Sequence, residues 1–421
     1  MTSKKKIVIL TQFYAPEPFR FPVGIARDLK EKGHDVIVVT GFPNRPGGKL
    51  FPGYRQRFGF SEFIDEIPVY RSPLIVNHSL NPVARILNFL TFSATALTWS
   101  HKVRGADAVY VYATPATAAI PAQIWKAVFG IPYTLHVQDV WPESVTDSGM
   151  VGSSKLKDLV YRVLSSWTKR LYGNSDMLIA ISAGMRDLLI ERGSTPEKCS
   201  VVYNWADEEK IVPKPSESFE GNGVKLLYAG NLGPMQDLET MIDAAALMGN
   251  QPRFHLSLAG GGILEEQIKI KTRNLPQVDF LGRLSAEEVS ELYLKSDFQL
   301  VTLKDLSVFR VTVPSKFQSS LAAGVPVITT VKGAVADLIE QYQAGLVAEP
   351  ENPDSLRQVF QLALNMTAEE RAEMGKNARR LYDELMSSAS GLSSIASILS
   401  GEVRQSSGIG SPPLSINEKD K

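Results

Sequence analysis

Lys225-Leu226-Leu227-Tyr228-Ala229-Gly230-Asn231-Leu232-Gly233 is a short apolar run ending in glycines, just ahead of a helical pattern from Asp237 to Met248. A strand-length run, a Gly-containing turn and a helix make the opening of a βαβ unit, and repeated βαβ units build a parallel sheet. The same order recurs downstream. His255 to Ala259 leads into Gly260-Gly261-Gly262 and a helix from Ile263, and further strands are predicted at Phe298 to Thr302, Pro326 to Thr330 and Gly345 to Ala348. Working back to the start, Lys6 to Leu10 is followed by a helical pattern over Val23 to Lys32, which Gly33 stops before a strand at Asp35 to Thr40. Apolar runs at Ala108 to Tyr112, Tyr133 to Val137 and Met177 to Ile181 continue the theme.

The chain therefore reads as two α/β halves, each doubly wound, with a cleft between them. The predicted units are an amino-terminal domain over 1–205, a Pro/Ser/Gly-rich linker over 206–223, a second domain over 224–366, a closing helix over 367–386 and a disordered tail over 387–421. At 421 residues, 44% hydrophobic and 21% charged, the chain has enough apolar content for two cores. Its 45 Lys and Arg balance 45 Asp and Glu, which argues against a broad nucleic-acid-binding surface. The single cysteine, Cys199, excludes an internal disulfide framework and a multi-cysteine metal site, and suits a reducing, cytoplasmic compartment.

One stretch stands apart: Ala84 to Trp99 is largely apolar, with Arg85 at one end and Lys102 and Arg104 beyond the other. It is shorter than the roughly 20 residues that span a bilayer. Two readings remain open for Ile86–Trp99: a buried helix, or a rim helix that touches a membrane through Phe89, Phe92 and Trp99.

The loop glycines Gly230, Gly233 and Gly262 sit where ligands bind in open parallel sheets, outside the carboxyl ends of strands, where backbone amides favour a phosphate. Pro314-Ser315-Lys316 starts a helix that Gly324 and Pro326 end, with Ser315 and Ser319 on one face. A lysine opposes the helix dipole at that end, so Lys316 makes sense if it and the first amides face one anion; a solvated lysine is the plain alternative. Arg310 is a second candidate cation, and Arg283 is either a third or a surface loop charge. In the first half, His136, Asp139 and Glu143 follow a buried strand around Trp141-Pro142, and Glu17 lies in the first loop. The carboxylates could accept a proton or hold sugar hydroxyls; they equally suit loop caps, as His136 suits a core histidine and Trp141 a packed one. His34 fits a helix end, and His78, His101 and His255 have no partner at metal-ligand spacing.

Taken in order, Gly-Asn-Leu-Gly at 230–233, the Gly-rich loop, Phe-Leu-Gly-Arg at 280–283, Pro-Ser-Lys at 314–316 and Leu-Ala-Ala-Gly-Val-Pro-Val-Ile at 321–328 resemble the donor domain of family 4 GT-B glycosyltransferases. Phe13 to Glu17, Gly33 to Val36, Gly41 to Asn44, Asp139 to Ser144 and Ile181-Ser182 extend the resemblance through the first domain, and the branch resembled is that of fucosamine or N-acetylfucosamine transferases. The resemblance implies a GT-B fold of two Rossmann-like domains. It also implies retaining, metal-independent transfer from a UDP-sugar to a polyprenyl-diphosphate-linked saccharide in surface-polysaccharide (O-antigen or capsule) synthesis, at the inner face of the cytoplasmic membrane. No cofactor is implied beyond the nucleotide-sugar substrate, and no Asp-x-Asp metal motif occurs. The expected nucleotide set is Gly230, Asn231, Gly233, Gln236, Gly262, Arg283, Arg310, Ser315, Lys316 and Ser319.

The chain departs from the family pattern at several positions. Where members often carry two glutamates eight positions apart, this sequence has Val311 and Ser319; a common arginine and lysine become Asn231 and Gln236, and Asp237 stands where glycine is frequent. The missing acidic pair motivates a second reading, a nucleotide-sugar-binding scaffold without turnover; a third, a nucleotide-sugar 2-epimerase, rests on the two-domain architecture that those enzymes share.

Overall fold

The computed structural model describes residues 4–45, 47–76, 82–146, 154–219, 221 and 223–402. His78 and residues 403–421 of the expected tail lie outside them.

The amino-terminal sheet comprises β1 (Lys6–Thr11), β2 (Asp35–Gly41), β3 (Ser61–Ile64), β4 (Ile67–Ser72), β5 (Ala108–Ala113), β6 (Tyr133–Val137), β7 (Met177–Ala180) and β8 (Cys199–Val201). Their order is β3-β4-β2-β1-β5-β6-β7-β8, parallel except for the β3–β4 hairpin. The second sheet holds β9 (Val224–Ala229), β10 (Phe254–Ala259), β11 (Val278–Gly282), β12 (Phe298–Val301), β13 (Val327–Thr329) and β14 (Gly345–Val347), in the order β11-β10-β9-β12-β13-β14, all parallel. Each sheet reverses its winding beside its first strand, leaving a crevice at the carboxyl ends there. The central strands are apolar on both sides because helices cover both faces: Val8, Leu10 and Val111 face one core, Ile7, Ile9 and Tyr110 the other.

Strands β3, β4, β8 and β11 were not predicted. They are short or lie toward the sheet margins, and β11 alternates buried and exposed residues, so they lack the continuous apolar run that marks the central strands. The linker is also more than a connector. Lys214 Nζ donates to Ser296 O at 2.6 Å, its backbone amide donates to Ala323 O at 2.8 Å, and its ammonium stands 3.9 Å from the Phe219 ring centre, so the segment packs along the second domain.

The tail expectation needs correcting over its first third. Ser388–Ser400 is a helix, capped by Ser387 and returning to the amino-terminal domain, where Ile395, Ile398 and Leu399 are buried against Ile25, Val36 and Val202. Its serines hide an apolar stripe at helical spacing (Leu392, Ile395, Ile398, Leu399), and Lys5 Nζ donates to the terminal carbonyls of Leu399 and Ser400 at 3.1 and 2.8 Å. The crossing is fastened by Glu208, which accepts from Tyr382 Oη at 2.7 Å and from the Ser388 amide at 2.8 Å.

The helix Pro82–Ala96 settles the choice left open for Ile86–Trp99 in an unexpected way. Phe89, Phe92 and Trp99 are buried in the core, whereas Ile86, Leu87 and Leu90 are each nearly half exposed on the opposite face. The aromatics therefore belong to the fold, and the exposed face is aliphatic. Among the described residues no helix is long and apolar enough to cross a membrane.

Candidate active site

The site is built at the carboxyl ends of β9 and β10. The Gly230 amide donates to Ala259 O at 2.9 Å and the Leu232 amide to Gly261 O at 3.0 Å, so the two glycine loops are laced together. A Cβ on Gly260 would collide with the Gly230 carbonyl, and one on Gly262 with the Leu232 carbonyl. Glycine is required at both for this loop-on-loop packing, a reason the sequence alone did not show. The lacing consumes some of the amides expected for a phosphate. Among the described residues, the amides of Asn231, Gly233, Gly261 and Gly262 bond no acceptor and remain for an anion.

Lys316 reaches this place from the helix Ser315–Ala322. Its Cε would lie 2.9 Å from a Cβ on Gly230, so the absent side chain makes room for it. Its Nζ donates to Tyr228 Oη at 2.6 Å. Burial pulls the ammonium down to about 7. Pro314 starts the helix without a capping side chain, and the first bond closing the turn runs from the Phe317 amide to Pro314 O at 2.9 Å. The amides of Ser315 and Lys316 precede that bond and are the ones a helix start offers to an anion. Ser315 is exposed at this entrance, and Ser319, one turn on, is half-buried.

Of the other expected residues, Arg283 is exposed and lies beside Gly261, whose Cβ would stand 3.0 Å from its Nε. Asn231 and Gln236 flank Gly233 and bond weakly to each other at 3.4 Å. Arg310 is not a free cation: its guanidinium is paired with Asp305 at 2.8 Å. Asp237 is bonded within its own domain. Its backbone is left-handed at φ 48°, where glycine or aspartate is tolerated, and its carboxylate accepts from Thr240 at 2.8 Å and the Glu351 amide at 3.3 Å. Val311 packs against the amino-terminal domain at Gly184.

Across the crevice, Asp139 follows β6 and is hydrogen-bonded by Thr114 from the end of β5. Burial pushes its carboxyl above the usual range, and the Thr114 bond works against that shift. Its three companions have other tasks. Glu143 pairs with Arg192 at 2.5 and 2.9 Å; burial would raise this carboxyl, but the bonds and charge of Arg192 outweigh it and hold it low. Glu17 accepts from the amides of Asn44 and Arg45, both at 2.8 Å, and of Tyr14 at 3.3 Å, tying two loops together. His136 is fully buried between Tyr110 and Tyr112, with Nδ1 bonded to Tyr110 Oη, and burial drops it to about 3. Three of the four catalytic candidates thus sit where they brace the fold, and Asp139, at the carboxyl end of β6, has no ion-pair partner among the described residues. Trp141 is buried too, edge-on to Trp167 at 6.1 Å. The residue that sequence reasoning missed is Tyr228. It stands inside the quoted glycine motif, but nothing in a strand sequence tells which loop or helix its hydroxyl will meet. Among the described residues no group of three His, Cys, Asp or Glu side chains is placed to hold a metal ion.

Two facing Rossmann-type sheets with a crevice at their carboxyl ends define the GT-B class, and solved GT-B structures overlay the chain. One is Anabaena Alr3699/HepE in complex with UDP, at a TM-score of 0.66 and 17% identity over 94% of this chain and all of that one. The model for a glycosyl transferase 4-like domain matches residues 21–205, and that for glycosyl transferases group 1 matches 211–381. The chain belongs to the family 4 GT-B glycosyltransferases. Among its relatives are a putative colanic acid biosynthesis glycosyl transferase, WcaI, of Escherichia coli, 24% identical over 87% of this chain and 95% of that one. Another is the N-acetylgalactosamine-N,N'-diacetylbacillosaminyl-diphospho-undecaprenol 4-alpha-N-acetylgalactosaminyltransferase of Campylobacter jejuni, 26% identical over 65% of this chain and 72% of that one.

Proposed function

We propose that this glycosyltransferase moves N-acetylfucosamine or a related amino sugar from its UDP donor to a polyprenyl-diphosphate-linked saccharide in surface-polysaccharide synthesis, with retention and without a metal ion. The observation that carries the reading is Lys316, an amine with no carboxylate partner among the described residues, set against Gly230 beside the unbonded amides of the two glycine loops. A diphosphate supplies the charge this site lacks, and developing charge on a leaving group is what oriented amides and a cation stabilise best. HepE holds UDP in the same fold, WcaI is named for a polysaccharide pathway, and the Campylobacter relative is named for a diphospho-undecaprenol acceptor; each supports one part of the reading.

In the proposed step, the bond from the anomeric carbon to the diphosphate oxygen breaks and one to the acceptor oxygen forms on the same face. The leaving diphosphate oxygen takes the acceptor's proton, so no side chain need act as base. In this reading Asp139 orients the acceptor from the amino-terminal domain. The exposed aliphatic face of Ile86, Leu87 and Leu90, with Arg85 on the same helix, is proposed to rest on the membrane that holds the lipid acceptor.

The test is release of the nucleoside diphosphate from each of a panel of UDP-, GDP- and dTDP-sugars in the presence of polyprenyl-diphosphate saccharide and EDTA. Turnover with a UDP-sugar that needs the lipid acceptor is the expected result. Binding without turnover would mean a scaffold, and conversion of the donor without acceptor an epimerase.

A further inference from the structure

The ammonium of Lys316 is held by a phenol rather than by a carboxylate. Lys316 Nζ donates to Tyr228 Oη at 2.6 Å, and Tyr228 Oη spends its own hydrogen on Asn231 O, also at 2.6 Å. With that hydrogen committed, the phenol can only accept from Lys316, and it does so whether the lysine carries three hydrogens or two. The Nζ also stands 3.9 Å from the Tyr228 ring centre. The surroundings add no countercharge. Tyr228 on β9 is kept protonated, its phenol pushed well up by burial. Arg283 and Glu265 flank Gly261 on the neighbouring loop, and Arg310 is paired with Asp305 ahead of the helix. None of these contributes to the lowered value at Lys316, whose cause is burial alone.

We propose that Tyr228 is a positioning residue that holds Lys316 toward the nucleotide's diphosphate, and that Lys316 takes a proton from solvent when the diphosphate binds. The inference rests on the nucleotide-sugar reading above and deepens it. An anion within about 4–6 Å favours the charged form of an amine. The incoming diphosphate therefore restores the ammonium: one proton moves from buffer to the neutral Nζ, and no bond of the nucleotide changes. The chain lacks a lysine at 236, so the cation arrives by this second route, from the helix Ser315–Ala322, and its charge is conditional on ligand. UDP should then bind more weakly as pH rises above about 7, approaching tenfold per pH unit.

The experiment is titration calorimetry of the full chain with UDP at pH 8.5, in two buffers of different ionisation enthalpy, with Kd followed from pH 7 to 9. Uptake of about one proton is expected. Lys316→Arg stays charged, so its binding should involve no uptake and be flat with pH; Lys316→Met should also lose the pH dependence while binding more weakly. Tyr228→Phe removes the acceptor that steadies the ammonium, and should raise the Kd and move the uptake midpoint to lower pH. UDP binding without proton uptake, or an unchanged pH profile in Lys316→Met, would overturn the proton linkage. A wild-type profile in Tyr228→Phe would overturn the positioning role. Failure of UDP to bind at any pH would instead overturn the nucleotide reading itself.

Discussion

Ser182 Oγ donates to the Val311 carbonyl at 2.5 Å, joining the start of a helix in the amino-terminal domain to the loop ahead of the Lys316 helix in the other. The same hydroxyl accepts from the Met185 amide at 2.9 Å, so one side chain caps its helix and ties the two walls of the crevice. Beside it, a Cβ on Gly184 would stand 3.3 Å from Val311 Cγ1. Replacing the family's usual glutamate with valine puts an apolar wedge against this glycine. The domain contact is therefore partly made by a residue that, read as sequence, marked a departure from the family's pair of glutamates.

Gly184→Leu should hold the crevice open. The new side chain has no room against Val311, although leucine is the better helix former by about 0.8–1 kcal/mol. The expected outcome is a larger radius of gyration by small-angle scattering, unchanged or raised thermal stability, and slower transfer. A compact variant with normal turnover would show that this contact does not govern closure.

Lys316→Ala should reduce transfer by roughly 10²- to 10³-fold, the cost usually seen when one donor to a developing oxyanion is removed. The fold should survive, because the stem of Lys316 packs in a loop-lined site rather than in a core. Steady-state rates with matched circular dichroism spectra check this.

Arg192→Ala should cost about 2–3 kcal/mol, because it leaves the mostly buried Glu143 without its charge partner. The pair's folded-state carboxyl is held low, so its contribution is present above the ordinary glutamate value of 4.5 and is lost as pH falls below it. Thermal melts of wild type and variant should therefore converge in acid and stay apart at neutral pH.

His136 adds a pH dependence of the same sign from a different cause, set in a higher pH range. Burial holds it neutral down to about 3, against 6.5 for the unfolded chain, so the unfolded state binds a proton that the native state refuses. Stability must then fall as pH drops below about 6.5, by about 2 kcal/mol between pH 7 and 5 for this one group. His136→Asn should remove that portion of the slope, measured as melting temperature against pH relative to wild type.

The helix Pro82–Ala96 offers a paired test. Ile86→Ser, Leu87→Ser and Leu90→Ser together should release the protein from anionic vesicles in a flotation assay while the protein still melts cooperatively, since these side chains are nearly half exposed. Phe92→Ala should instead cost about 3–5 kcal/mol, since that ring is fully buried.

The order of strands and helices was legible in the sequence because a parallel strand buried on both faces must be apolar throughout, as Ile7 to Leu10 and Leu226 to Ala229 are. The glycine loops and the start of the Lys316 helix were legible for a similar local reason, since glycine and proline constrain the backbone wherever they stand. Partnership was not legible. Glu17, His136 and Glu143 look like catalytic side chains in one dimension, and only the folded chain brings loop amides, two tyrosines and Arg192 to them. Tyr228 meets Lys316 across 88 residues of sequence, and Ser182 meets Val311 across 129. Backbone form follows from neighbours along the chain, but the charge, burial and occupation of a side chain are set by groups that arrive from elsewhere.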